Sequence, residues 1–434
     1  MKTRKCLSLL LSIFLLTATG LYAQNLSEIE RKIVELVEAN HAEALQFLET
    51  NVNINSGTMN FEGVRKVGQN YIDAYNELGF ETRWIPQDEV NRAGHLFAEQ
   101  KGTKGKRMLL IGHLDTVFEE DSPFQTFEML DESTATGPGV NDMKGGNVMI
   151  LYALKALKEA GAIPDAQIII ALIGDEERAG SPVSKSRKDL VEAAKRSDVA
   201  LGFETATGFN HATIARRASF SWKLEVTGRQ AHSSGIFSER TGAGSVYETA
   251  RILNRFYEEL REEYLTYNVG VIIGGTQVDY DEENIRGTVS GKTNIVPQTT
   301  IAHGGIRFLT QEQGERAFQR MREIAADNLP QTSAKLTISE EGYPPMEPTE
   351  GNMQLLELLS DLSEDMGLGK VEPFDPGRRG AADISFIANY VDGLDGLGAM
   401  GSGAHGPNET MNLDTYKDLT KRAALLIYRL SISD

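Results

Sequence analysis

Several short polar clusters in this chain each stand directly behind an apolar run, and their residue types suit metal-assisted hydrolysis. In open α/β sheets ligands bind beyond the carboxyl ends of strands, so the placement itself is informative. His113-Leu114-Asp115-Thr116 follows Arg107–Gly112. Residues two apart on a strand share a face, so His113 can ligate a metal while Asp115 orients the site from behind it. In Gly137-Pro138-Gly139-Val140-Asn141-Asp142-Met143-Lys144-Gly145-Gly146 the glycines permit a tight turn. Asp142 there can offer one oxygen to each of two metals, or it can simply cap the helix that follows. Gly174-Asp175-Glu176-Glu177 comes after Gln167–Ile173. Adjacent side chains diverge, so one of its carboxylates can bind metal while another activates water; a solvated acidic turn is the plainer alternative. Glu204 in Phe203-Glu204-Thr205 means little alone, whereas His405 in Gly403-Ala404-His405-Gly406-Pro407-Asn408-Glu409 sits in a glycine-rich loop that is a poor home for a core histidine.

The elements that must hold these clusters alternate in type. Helical periodicity is expected over Leu26–Leu48, Phe61–Leu78 and Gly145–Ala160, with strands at Arg107–Gly112, Gln167–Ile173 and Asp198–Phe203. This alternation predicts a parallel or mixed sheet flanked by helices. Between about Ser219 and Lys335 the order becomes strand, helix, three strands (Thr266–Ile273, Ile285–Ser290, Thr300–Phe308) and helix, with Leu336–Ser339 closing or leaving the unit. That order predicts an inserted α+β unit of ferredoxin-like type. The α/β pattern resumes with helices to Asp365 and over Asp414–Leu430. The expected division is therefore 1–23 signal peptide, 24–217 catalytic domain, 218–335 lid and dimerisation domain, and 336–434 the rest of the catalytic domain.

Composition narrows the partners. The 434 residues include 40% hydrophobic and 24% charged positions, the signature of a globular protein, and carry a net charge of −18. Lys2, Arg4 and Lys5, the apolar run Leu7–Leu16 and Leu21-Tyr22-Ala23 together read as an exported protein's signal peptide, periplasmic or secreted. Its removal takes away three basic residues and moves the charge to −21. Such a surface repels nucleic acid and anionic membranes. The single cysteine, Cys6, lies in that leader, so no disulfide is expected afterwards.

Taken together, the clusters resemble those of the co-catalytic zinc family that contains carboxypeptidase G, aminoacylase and succinyl-diaminopimelate desuccinylase. The resemblance spans nearly the whole chain beyond the leader and includes the inserted lid. It implies that His113 and Glu204 hold one zinc ion and Glu177 and His405 the other, with Asp142 bridging both. It further implies Asp115 as support, Glu176 as general base, and two ions per chain. In the lid, Gly228-Arg229-Gln230-Ala231-His232-Ser233-Ser234 resembles the segment whose histidine reaches the reacting carbonyl. Asn294-Ile295-Val296-Pro297 and Arg307 resemble the substrate-contacting asparagine and the carboxylate-binding arginine. An arginine fork suits a carboxylate because it binds through two bonds.

The activity implied is hydrolysis of an amide beside a free carboxylate, as by a glutamate carboxypeptidase. Deacylation of N-acyl amino acids, dipeptide cleavage, and a catalytically silent binding protein are the alternatives. The resemblance also implies a homodimer through the lid, with His232 acting in its own or its partner's site. Two departures bear on substrate: Gly305 replaces the usual acidic residue, and Arg378-Arg379-Gly380-Ala381-Ala382-Asp383 replaces a glycine- and serine-rich approach. The extra arginines either line a pocket for an acidic side chain or lie on the plain surface.

Overall fold

The computed structural model describes residues 25–282 and 284–433, so the expected signal peptide lies outside the described residues. The chain divides into two compact units. The larger contains the chain up to Ile214 together with Pro348–Phe374 and Asn389–Asp434, and the smaller contains Ala215–Glu347 and Asp375–Ala388. Among the described residues no helix is long and apolar enough to cross a membrane.

The larger unit is built on a six-stranded mixed sheet in the order Glu81–Gln87, Arg92–Gln100, Ala166–Ile173, Lys104–His113, Val199–Gly202 and Asp392–Leu394. The first two strands pair antiparallel with their neighbours and the last four run parallel. A parallel core strand must be apolar on both faces. Met108–Ile111 and Ile168–Ile173 meet that demand and are fully buried. Register then decides where the chain can place chemistry. His113 lies opposite Ile173, and Ile111 lies opposite Gly202. The residues following these three strands therefore emerge level with one another along one edge.

Helix Glu28–Val52 packs on helices Lys144–Ala160 and Leu413–Ile432, and those two pack against the sheet. Ser27 and Glu30 cap the first reciprocally, each side chain bonding the other's backbone N–H. Gly146 lets the second approach the sheet, since a Cβ there would stand 2.1 Å from the Phe203 carbonyl oxygen. A separate four-stranded sheet joins Gly401–Ser402, Thr410–Asn412, Thr134–Thr136 and Glu128–Met129. It carries the loop that holds His405 alongside the loop that holds Asp142, although some 260 residues separate them in sequence.

The smaller unit is the ferredoxin-like sandwich. Its antiparallel sheet runs Thr266–Tyr267 and Val271–Gly275, then Thr299–Arg307, Phe220–Gly228 and Thr332–Ile338. Helices Gly244–Glu259 and Gln311–Ala326 cover one face, burying Trp222, Leu224, Val226, Ile252, Phe256, Met321 and Ile324. Three details differ from the sequence expectation. The strand expected over Thr266–Ile273 is broken at Asn268, whose backbone passes so close to Gly304 that a Cβ there would sit 1.8 Å from the Asn268 oxygen. Arg286–Ser290 pairs with an unexpected strand, Gln277–Asp281, in a hairpin of its own. Finally, Thr332–Ile338 pairs with Phe220–Gly228 and closes the unit, so a boundary at residue 335 cuts a strand, and residues 375–388 join this unit rather than the larger one.

Candidate metal centre

The parallel strand ends bring His113, Glu176 and Glu204 together, with one ligating atom of each within 4.8 Å of the others. His113 Nδ1 lies 3.0 Å from the Asp115 carbonyl oxygen. That oxygen can only accept, so the proton is on Nδ1 and the Nε2 lone pair faces inward. Nε2 stands 3.4 Å from both Asp142 Oδ1 and Glu204 Oε1. On the other side of Asp142, His405 Nε2 lies 3.2 Å from Asp142 Oδ2 and 3.2 Å from Glu177 Oε2. Asp142 therefore reaches one imidazole with each of its two oxygens.

These distances match a metal donor set. Oxygen and nitrogen ligands bind zinc at about 2.0–2.2 Å, and tetrahedral placement at that radius sets donors about 3.3 Å apart. Glu177 Oε1 is buried without a hydrogen-bond partner, the kind of atom that a cation would satisfy. The donor set fits two divalent ions sharing Asp142. His113, Asp142 and Glu204 form one triad, and Asp142, Glu177 and His405 the other.

The electrostatics express the same crowding. Burial alone would push His113 down, but Asp115, Asp142 and Glu204 outweigh it and hold the imidazole well above its ordinary value. Asp142 and Glu177 hold His405 up to about 11 against its partial burial. Burial raises Glu177 to about 7, with His405 opposing and Asp142 assisting. Asp142 is itself drawn below the ordinary carboxylate range, because the two imidazoles overcome its burial. Protons and metal ions compete for donors of this kind.

Backbone donors supply the positioning. Asp115 accepts the N–H of Glu176 at 3.0 Å on one oxygen, and on the other the N–H of Glu177 at 3.1 Å and the Thr58 hydroxyl at 2.6 Å. One buried carboxylate thus orients both members of the acidic pair. Glu409 does the same for the Asp142 loop, accepting the N–H groups of Gly139 at 3.0 Å, Asn141 at 2.7 Å and Asp142 at 2.8 Å. Burial raises Glu409 to about 7 against those three donors. Sequence reasoning assigned Glu409 no role; its only signal was an acidic residue ending the His405 loop. His405 itself takes φ 65, a left-handed conformation costly for a non-glycine residue and held here by that tight loop.

Two other members of the quoted clusters are structural. Asp175 is fully buried, paired with Arg187 at 2.5 Å and bonded to the Ser186 hydroxyl at 2.7 Å. Lys144 is buried too, its Nζ donating to the carbonyls of Asn51 and Ile54 at 3.0 Å each, and burial lowers it to about 7.

The remaining residues expected to do chemistry lie in the smaller unit. His232 and Ile295 form a bridge, and the Ser233 N–H donates to the Asn294 oxygen at 2.8 Å, so the His232 and Asn294 loops are zipped together. The Ser234 N–H donates to His232 Nδ1 at 3.2 Å, which leaves the proton on Nε2 as an outward donor. Arg307 ends the strand Thr299–Arg307 and is exposed.

The chain is 27% identical over 366 residues to carboxypeptidase G2 of Pseudomonas sp. (strain RS-16), covering 83% of this chain and 82% of that protein. Its fold is similar to that of the aminopeptidase PepT from Bacillus cereus (TM-score 0.70, 17% identity, 90% of this chain and 99% of that one). It is also similar to the YXEP protein of Bacillus subtilis, a dinuclear metal binding peptidase (TM-score 0.63, 12% identity, 92% and 100% covered). The family model for peptidase family M20/M25/M40 matches residues 109–429, a span that takes in every residue of the two triads. This chain belongs to that family of peptidases.

Proposed function

We propose that this chain hydrolyses an amide bond beside a free carboxylate, in the manner of a glutamate carboxypeptidase, with two zinc ions per chain. The observation that carries the proposal is Asp142 facing His113 with one oxygen and His405 with the other, with Glu176 beside the first triad. His113, Asp142 and Glu204 would hold one ion, and Asp142, Glu177 and His405 the second. Ions held there would supply Lewis-acid chemistry, lowering the pKa of a bound water and polarising a carbonyl. Glu176, oriented through its N–H by Asp115, takes the proton of the attacking water and passes it to the leaving nitrogen. His232, with its Nε2 proton available, donates to the developing oxyanion. Asn294 and Arg307 bind the substrate carboxylate, Arg307 through its fork. The similarity to carboxypeptidase G2 favours this reading over deacylation of other N-acyl amino acids.

The proposal extends to the setting. The protein is exported, its leader is removed, and it acts on a peptide or N-acyl amino acid, away from nucleic acid and membrane. It works as a homodimer through the smaller unit. The test is hydrolysis by zinc-loaded protein of N-acyl glutamates, set against the same compounds with the α-carboxylate amidated. Turnover of the free acids should exceed that of the amides by at least about tenfold, the worth of one charged hydrogen-bond pair. Arg307→Ala should remove most of that difference, and equal wild-type rates would rule out carboxylate anchoring.

A further inference from the structure

We propose that Arg217 pairs with Arg307 to form a two-guanidinium site for an amino acid bearing two carboxylates, with Arg217 selecting the acidic side chain. This inference rests on the preceding reading that Arg307 takes the substrate's α-carboxylate. The two arginines meet through Thr266. In the sheet Thr266 lies directly opposite Arg307, and Arg217 Nη1 donates to the Thr266 hydroxyl at 3.0 Å. The residues that follow the two arginines are also bonded, since the Ala218 N–H donates to the Phe308 oxygen at 2.7 Å. Both residues are therefore placed at one end of one sheet.

Arg217 has one donor in place, on the Thr266 hydroxyl. Its Nε is buried and makes no hydrogen bond. That N–H faces the interior, but Arg217 as a whole is only partly buried, so a carboxylate can approach the rest of its fork. Burial and the neighbouring charge of Arg307 both depress Arg217, and Asp375 opposes them. Asp375 is partly committed elsewhere, because its Oδ1 accepts the Gly377 N–H at 2.8 Å.

The segment carrying Arg378 and Arg379 is anchored at the same place. Arg216 Nη1 donates to the Gly380 oxygen at 2.8 Å, and a Cβ on Gly380 would stand 3.4 Å from Arg307 Nη1. The segment 375–388 thus belongs with the arginines of the smaller unit, and its own basic pair adds to the local positive charge. One carboxylate on Arg307 leaves a second cation unanswered beside it, and a second carboxylate answers it. An amino acid with a neutral side chain cannot.

Two measurements test this. The first compares kcat/KM for N-acetyl-glutamate and N-acetyl-glutamine, which differ in charge but hardly in shape. Wild type should prefer glutamate, and Arg217→Gln should cut the glutamate-to-glutamine ratio by about tenfold or more, with Arg217→Lys restoring part of it. An equal fall on both substrates would make Arg217 a structural anchor of Thr266 and overturn the proposal, as would a wild type that does not discriminate. The second titrates glutarate and butyrate onto the intact protein by calorimetry. Glutarate should bind more tightly to wild type, and Arg217→Gln should abolish that advantage; equal binding of the two acids to wild type would overturn the proposal. If no carboxylate-bearing amide is hydrolysed while glutarate binding still depends on Arg217, the hydrolytic reading fails and the two-guanidinium site stands.

Discussion

The candidate metal centre of the larger unit and the polar face of the smaller one are held by opposite means. In the centre, acids crowd two imidazoles, and the acids are aimed by backbone: Asp115 grips the Glu176–Glu177 turn and Glu409 grips the Asp142 loop. Its scaffold is buried, with Asp115 and Glu409 wholly inaccessible and His113 nearly so. In the smaller unit His232, Asn294 and Arg307 are exposed on loops and a strand end, His232 and Asn294 tied through the backbone of their neighbours and Arg307 through its strand pairing. A site that must hold ions at fixed distances needs a rigid second layer. A site that must admit and release a substrate can do with less. Mutations in the first region should therefore act through geometry and those in the second through recognition.

The largest expected effect separates base from ligand inside the centre. Glu176→Gln keeps the N–H that Asp115 holds, so the loop and the metals should stay while kcat falls by about 10²–10⁴. Steady-state kinetics beside metal analysis would check it, and a loss of metal instead would exchange the roles of Glu176 and Glu177.

Next comes the buried pair beneath that loop. Arg187→Ala would strand Asp175 as an unpaired charge in the interior, and denaturant titration should show a loss of about 3–5 kcal/mol. A loss below about 1 kcal/mol would mean that the loop is not stiffened from behind in the way the comparison requires.

The smallest effect calibrates the scale for exposed charge. Glu38 is half-exposed and joins Lys417 at 2.6 Å and Lys421 at 2.7 Å, and those contacts lower its carboxyl to about 2 against weak burial. A depressed acid stabilises the fold above its ordinary value near 4.5, and that contribution fades as pH falls toward 2. Screening limits it to about 0.2–1 kcal/mol. Glu38→Gln should lower Tm slightly at pH 7 and lose its effect near pH 2; a difference that grows with acid would reverse the sign.

How far the sequence carried these conclusions depends on range. His113, Glu176, Glu177 and Glu204 were legible because each follows an apolar run that could only be a buried strand, and parallel register lines such ends up; Asp142 was legible from the glycine-rich turn that precedes the helix Lys144–Ala160. Glu409 was not, because it works on backbone N–H groups nearly 270 residues away. Separation in sequence also hid the place of residues 375–388, which nothing local assigns to the smaller unit. Gln277–Asp281 was missed because its Gln-Val-Asp-Tyr-Asp pattern is polar enough to pass for a loop, and only its partner Arg286–Ser290 makes it a strand.

The central claim is that Asp142 is shared by two ions, and metal content tests it most directly. Zinc-loaded wild type, dialysed and analysed by elemental mass spectrometry, should hold about two ions per chain. Under the same treatment Asp142→Ala should hold close to none, and Glu204→Ala about one. A wild type with no metal above background, or an Asp142→Ala protein that keeps both ions, would contradict it.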